Sequence, residues 1–210
     1  MAQDEQAPER PQIYLISPPD FELSSFAEAL GGVLDAAEIA CVRLALASHD
    51  EGEIARAADT LREVCHQRDV ALVIDNHILL AERHGLDGVH LSDGARSVRK
   101  ARKQLGNDAI VGSFCGASRH DGMTAGEAGA DYVSFGPVGA TALADGEAAD
   151  FEIFEWWSQM IEVPVVAEGG LSRALVTQLG PVTDFFGIGP EIWKAEDPAA
   201  ALADLLSGLQ

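Results

Sequence analysis

The sequence predicts an α/β fold, a single (β/α)8 barrel of the TIM type. Short runs rich in Val, Ile and Leu recur eight times, each followed by a longer amphipathic stretch. That alternation marks βα units around a buried parallel sheet. The length of 210 residues suits one domain with a real core and lies near the lower end of the range for this barrel. A doubly wound open sheet, which uses about five or six strands, is the second choice.

The predicted strands, in order, are Gln12–Ser17, Ile39–Leu46, Val70–Asp75, Asp87–Leu91, Ala109–Gly112, Asp131–Phe135, Val163–Ala167 and Thr183–Ile188. The helical stretches between and after them are Ser24–Ala36, Asp50–His66, Ile78–Arg83, Ala95–Gln104, Ser118–Ala128, Phe151–Met160, Ser172–Leu179 and Pro198–Leu206. Asp50, Ser118 and Ser172 stand where helix N-caps belong, and Gly31, Gly85, Gly106 and Gly129 stand where helices should stop. Residues 1–11 read as a disordered leader and residues 12–210 as the barrel. The longest loop expected, Gly136 to Asp150, follows the sixth strand and so falls on the C-terminal face, where barrels of this kind build their sites.

Composition narrows the partners. Fourteen Lys and Arg against 34 Asp and Glu give a net charge of -20, which repels nucleic acid and anionic lipid and reads as a solvated acidic surface. No apolar run approaches the roughly 18 residues a membrane span needs. The odd set Cys41, Cys65 and Cys115 contains no C-x-x-C pair and suits a reducing, cytoplasmic setting.

Several segments, taken together, resemble the thiamine phosphate synthase/TenI family. Ile13 to Ser17 looks like its opening strand. Ile74 to Gly94, IDNHILLAERHGLDGVHLSDG, is similar to its third strand, helix and fourth strand. Gly129 to Thr141, GADYVSFGPVGAT, resembles the segment around its sixth strand, and Val163 to Leu171, VPVVAEGGL, its seventh. The resemblance implies the TIM barrel, thiamine biosynthesis, and a transferase reaction joining a pyrimidine pyrophosphate to a thiazole phosphate. It also implies a small phosphorylated ligand. Gly169 and Gly170, with Gly187 and Gly189 after the eighth strand, are where backbone N–H groups would hold its phosphate.

The chain departs from the family where positive charge is needed. The family's Q-x-R-x-K on strand two reads Arg43-Leu44-Ala45-Leu46-Ala47, and its Asn-Asp after strand three is reversed to Asp75-Asn76. Asp93 is the acid left near the second carboxylate position, so Asp75 and Asp93 are the candidate ligands of a weakened Mg2+ site. In the sixth loop Thr141 survives and the lysine has become Ala144. Between His120 and Ser172 there is no Lys or Arg. On the fifth loop Ser113 and Cys115 compete for the pyrophosphate-binding serine, and Arg119 is the remaining cation at that rim.

Two residues are candidates for proton transfer. TenI relatives use a histidine on the fifth loop to tautomerise a thiazole carboxylate phosphate, and His120 lies nearest that place. Glu168, directly before the glycine pair, replaces an apolar residue of the family; a carboxylate there either turns elsewhere or acts as acid or base. His90 reads as a structural histidine of the fourth strand. Trp156 and Trp157 read as helix-to-barrel packing or a contact in a homodimer. The residues thus leave three readings open: a divergent synthase-like barrel, a TenI-like tautomerase, and a catalytically inactive ligand-binding or regulatory barrel.

Overall fold

The computed structural model describes residues 10–140 and 148–209. Eight parallel strands close into a barrel in simple sequential order, with β1 (Gln12–Ile16) pairing β8 (Phe185–Ile188) to complete the ring. Between them run β2 (Cys41–Leu44), β3 (Ala71–Asp75), β4 (Gly88–Leu91), β5 (Ile110–Phe114), β6 (Tyr132–Phe135) and β7 (Val165–Glu168). The helices are α1 (Leu23–Ala36), α2 (Glu51–His66), α3 (Ile78–His84), α4 (Val98–Leu105), α5 (Arg119–Glu127), α6 (Phe151–Met160), α7 (Arg173–Leu179), α8 (Pro190–Trp193) and α9 (Pro198–Leu206). None of the described helices is long and apolar enough to cross a membrane. The leader expected at residues 1–11 lies almost wholly outside the described residues, as does Thr141 of the sixth loop.

Alternation along each strand separates two cores. Leu15, Val42, Leu44, Leu72, Ile74, Val89, Val111, Val133 and Phe135 face outward into the layer shared with the helices. Tyr14, Cys41, Val73, Tyr132 and Val166 fill the barrel interior. Gly112 makes room there, because a Cβ at that position would lie 2.0 Å from the Tyr132 ring. Trp157 packs in the outer core, its indole N–H donating to the Val163 carbonyl at 2.7 Å, and Trp156 packs partly buried beside it.

The N-caps fall as the sequence predicts: Asp50, Ser118 and Ser172 each accept backbone N–H groups of the helix that follows. Gly85 caps α3 in the left-handed conformation and Gly106 ends α4. Gly31 does not end a helix; it lies inside α1, where a Cβ would come within 3.3 Å of the Arg68 guanidinium. The predicted second strand is too long at both ends. After Leu44 the chain bends across the barrel rim, Ala45 N–H donating to Ser17 Oγ and Ala47 N–H to the Pro19 carbonyl. The fourth helical stretch divides into a 3-10 turn at Gly94–Ser97 and then α4, and the four-residue α8 was not predicted.

One device recurs on the N-terminal side of the barrel. Asp87, Asp131 and Asp184 each precede an even-numbered strand, and their carboxylates accept the backbone N–H of Leu72, Val111 and Val165 at 2.7 Å each. Each aspartate also donates its own N–H to the carbonyl of that same residue. The side chain thus closes a ladder position that the start of a parallel pair would leave open.

Candidate active site

Three charged side chains meet at the C-terminal ends of β2, β3 and β7. Arg43 Nη1 donates to Glu168 Oε2 at 3.0 Å, and its Nε approaches Asp75 Oδ1 at 3.1 Å. The second contact is electrostatic only, since neither atom is aligned for a hydrogen bond. Arg43 and Glu168 keep 12% and 11% of their side-chain surface, so solvent does little to weaken the pair. Gly187 is paired with Glu168 across β7 and β8, and a Cβ there would come within 2.8 Å of the Glu168 Cβ. That glycine makes space for the carboxylate.

Burial and the shared guanidinium set the protonation states. Asp75 is raised to about 6: burial favours the neutral acid, Arg43 opposes this, and the Glu168 charge adds to it. Arg43 is held above its ordinary range, because attraction to Glu168 and Asp75 exceeds the cost of burial. His90, 1% exposed, is kept neutral, well below the usual imidazole range, by burial and then by the Arg43 charge. Its Nδ1 lies 2.9 Å from the Tyr132 hydroxyl, which is 2.7 Å from the Tyr14 hydroxyl. Two polar atoms on inward-facing positions, His90 Nε2 and Ser134 Oγ, are buried without a protein partner. A cavity of about 230 Å3 opens beside Asp75, lined by Leu44, Ala45, Ala47, Ile74 and Asn76.

The reversed Asp75-Asn76 pair puts each residue to a different use. Asp75 turns toward Arg43, whereas Asn76 is exposed in the left-handed conformation, φ 59°, which asparagine tolerates. Its side-chain oxygen accepts the N–H and hydroxyl of Ser92 at 2.9 and 3.0 Å. Asp93 is exposed and accepts from the Ser97 hydroxyl at 2.6 Å. Among the described residues no group of three or more His, Cys, Asp or Glu side chains is placed to hold a metal. Asp75 is engaged by Arg43 and the Asn76 oxygen by Ser92, so a hard dication such as Mg2+ would have to draw on Asp75 and Asp93 in exchange for their present contacts.

The fifth-loop candidates do not join this cluster. Ser113 is fully buried on the outward register of β5, 3.6 Å from the Cys115 sulfur, and Cys115 belongs to the outer core. Arg119 stacks over the Trp156 ring at 5.0 Å and donates to the Glu152 carbonyl. His120 is exposed in the first turn of α5.

The loop after β7 forms an anion cradle. Gly170 N–H and Leu171 N–H donate to Glu191 Oε1 at 3.0 and 3.1 Å, and Gly189 N–H donates to Glu191 Oε2 at 2.8 Å. Gly170, φ 74°, must be glycine, since a Cβ would press on the Gly139 backbone at 2.8 Å. The loop after β6 braces this turn, Val138 and Gly139 donating to the Gly169 carbonyl at 2.9 and 3.0 Å. Of the four glycines the sequence pointed to, Gly170 and Gly189 donate to this carboxylate, whereas Gly169 offers its carbonyl to the β6 loop and Gly187 lies within β8 beside Glu168; Leu171 and Glu191 were not among the candidates.

A closed parallel barrel carrying a charged cluster and an anion cradle at the C-terminal ends of its strands defines a (β/α)8 barrel of the kind that binds ligands at that face. The family model for thiamine monophosphate synthase matches residues 13–180. The thiamine-phosphate synthase of Rhodospirillum centenum is 43% identical over 92% of this chain and 95% of its own, and that of Erythrobacter litoralis 39% identical over 91% and 92%. The thiamine phosphate pyrophosphorylase structure from Pyrococcus furiosus superposes with a TM-score of 0.79 at 23% identity, covering 93% of each chain. The chain belongs to the thiamine monophosphate synthase family.

Proposed function

We propose that the chain serves thiamine biosynthesis by binding a phosphorylated thiazole at the C-terminal mouth of the barrel, its phosphate against Gly170, Leu171 and Gly189. The observation that carries this reading is the convergence of three backbone N–H groups from two loops on one anion position. The family reaction also needs a cationic clamp for the departing pyrophosphate. At the positions the resemblance assigns to that clamp stand Ala45 and Ala47, and Arg43 is already shared by two carboxylates.

Asp75 favours proton transfer on the thiazole as a second reading. A carboxyl raised to about 6 at the end of a barrel strand exchanges its proton near neutrality without a metal. Titration calorimetry with thiazole phosphate and with thiamine phosphate tests the ligand assignment. Saturable heat from thiazole phosphate is expected. No binding of either compound at millimolar concentration removes the assignment.

A further inference from the structure

The Glu191 carboxylate stands where the ligand's phosphate would stand. It belongs to the second residue of α8, yet its Oε1 reaches back 21 and 20 positions to Gly170 and Leu171, while its Oε2 takes the N–H of Gly189. Both oxygens are used, and the carboxylate ties the β7 loop to the β8 loop. Glu191 is partly exposed, and the proline before it is exposed, so the side chain borders solvent. No salt bridge is formed by Glu191 among the described residues. What holds it is the cradle itself.

Two anions cannot share these donors. At hydrogen-bonding range they would overlap and repel, and the cations flanking the β7 loop are paired elsewhere, Arg43 with Glu168 and Asp75 and Arg173 with Asp204. We infer that Glu191 is an internal competitor for the phosphate cradle: a phosphorylated ligand binds only as Glu191 swings out, so this residue sets phosphate affinity and specificity. The inference rests on the phosphate reading above. The apparent dissociation constant then equals the intrinsic one divided by the fraction of molecules with Glu191 displaced.

Calorimetric titration of the full chain, Glu191→Ala and Glu191→Gln with inorganic phosphate and with thiazole phosphate decides the matter. Amide NMR of Gly170, Leu171 and Gly189 reports which donors respond. Glu191→Ala is expected to bind both phosphates at least roughly tenfold tighter than the parent, and Glu191→Gln to lie between them. Equal affinities, with the three amides responding to phosphate in all forms, overturn the competitor and leave the phosphate site standing. Weaker binding by the variants also overturns it, since Glu191 would then be supporting the cradle. If folded parent and variants all ignore phosphate at millimolar concentration, the phosphate reading falls and the inference with it. Should Glu191→Ala not fold, the near-isosteric Glu191→Gln carries the same comparison.

Discussion

Asp75 carries the pH dependence of the mouth. Its carboxyl titrates near 6 in the folded chain and near 3.9 when exposed, so between those values the native state holds a proton that the unfolded state has released. The sign follows: this contribution is fully present below the unfolded value and is lost as pH rises through about 6. Two units correspond to roughly 2 to 3 kcal/mol as an upper figure, reduced by the partial exposure of the side chain. Urea denaturation from pH 4 to 7 should therefore lose a downward component in Asp75→Asn. An unchanged slope would show that Asp75 ionises normally. The sequence marked Arg43, Asp75 and Glu168 one by one as candidates, but their contact was not legible in it. Arg43, Asp75 and Glu168 are far apart along the chain, and nothing local says that alternation on three strands brings them to one point. The glycine pair was legible because its conformational demand is local. The carboxylate that fills it comes from another loop.

The strands were legible because a parallel sheet covered on both sides needs nearly unbroken runs of Val, Ile and Leu, and those runs stand out between polar helices. Their ends were harder, because hydrogen bonding and not hydrophobicity decides where pairing stops. The aspartates at 87, 131 and 184 mark starting points that composition records only as acidity. The short α8 escaped because four residues are too few for a helical period to appear. Asp184→Ala leaves the Val165 N–H, in a residue with no exposed surface, without its side-chain acceptor. A cost of about 1 to 3 kcal/mol is expected in chemical denaturation, with the m-value unchanged. Asp184→Asn should recover part of it, because the amide oxygen can still accept. No loss in Asp184→Ala would mean that water takes over the bond.

Across the whole molecule, closure of the sheet gives every strand two neighbours, and the eight pairings are all parallel and in sequential order. Chain order and spatial order therefore coincide, and a barrel can be cut without entangling its parts. The three aspartate contacts do not fall evenly on that ring. They join β3 to β4, β5 to β6 and β7 to β8, and at β2 the corresponding position is Ala40, which keeps only the backbone bond to Ile13. The polypeptide is thus a string of two-strand modules, and its tolerance of breakage should follow the module boundaries. Divided at the exposed Gly106, it yields two halves that each keep their aspartate contacts whole, with Arg102 left to grip the Gly129 and Ala109 carbonyls across the gap. Co-expressed, these halves should associate and regain the circular dichroism of the intact chain. A break at Gly116, which parts Asp131 from Val111, should complement poorly, and equal recovery from both breaks would deny the modules any role in assembly.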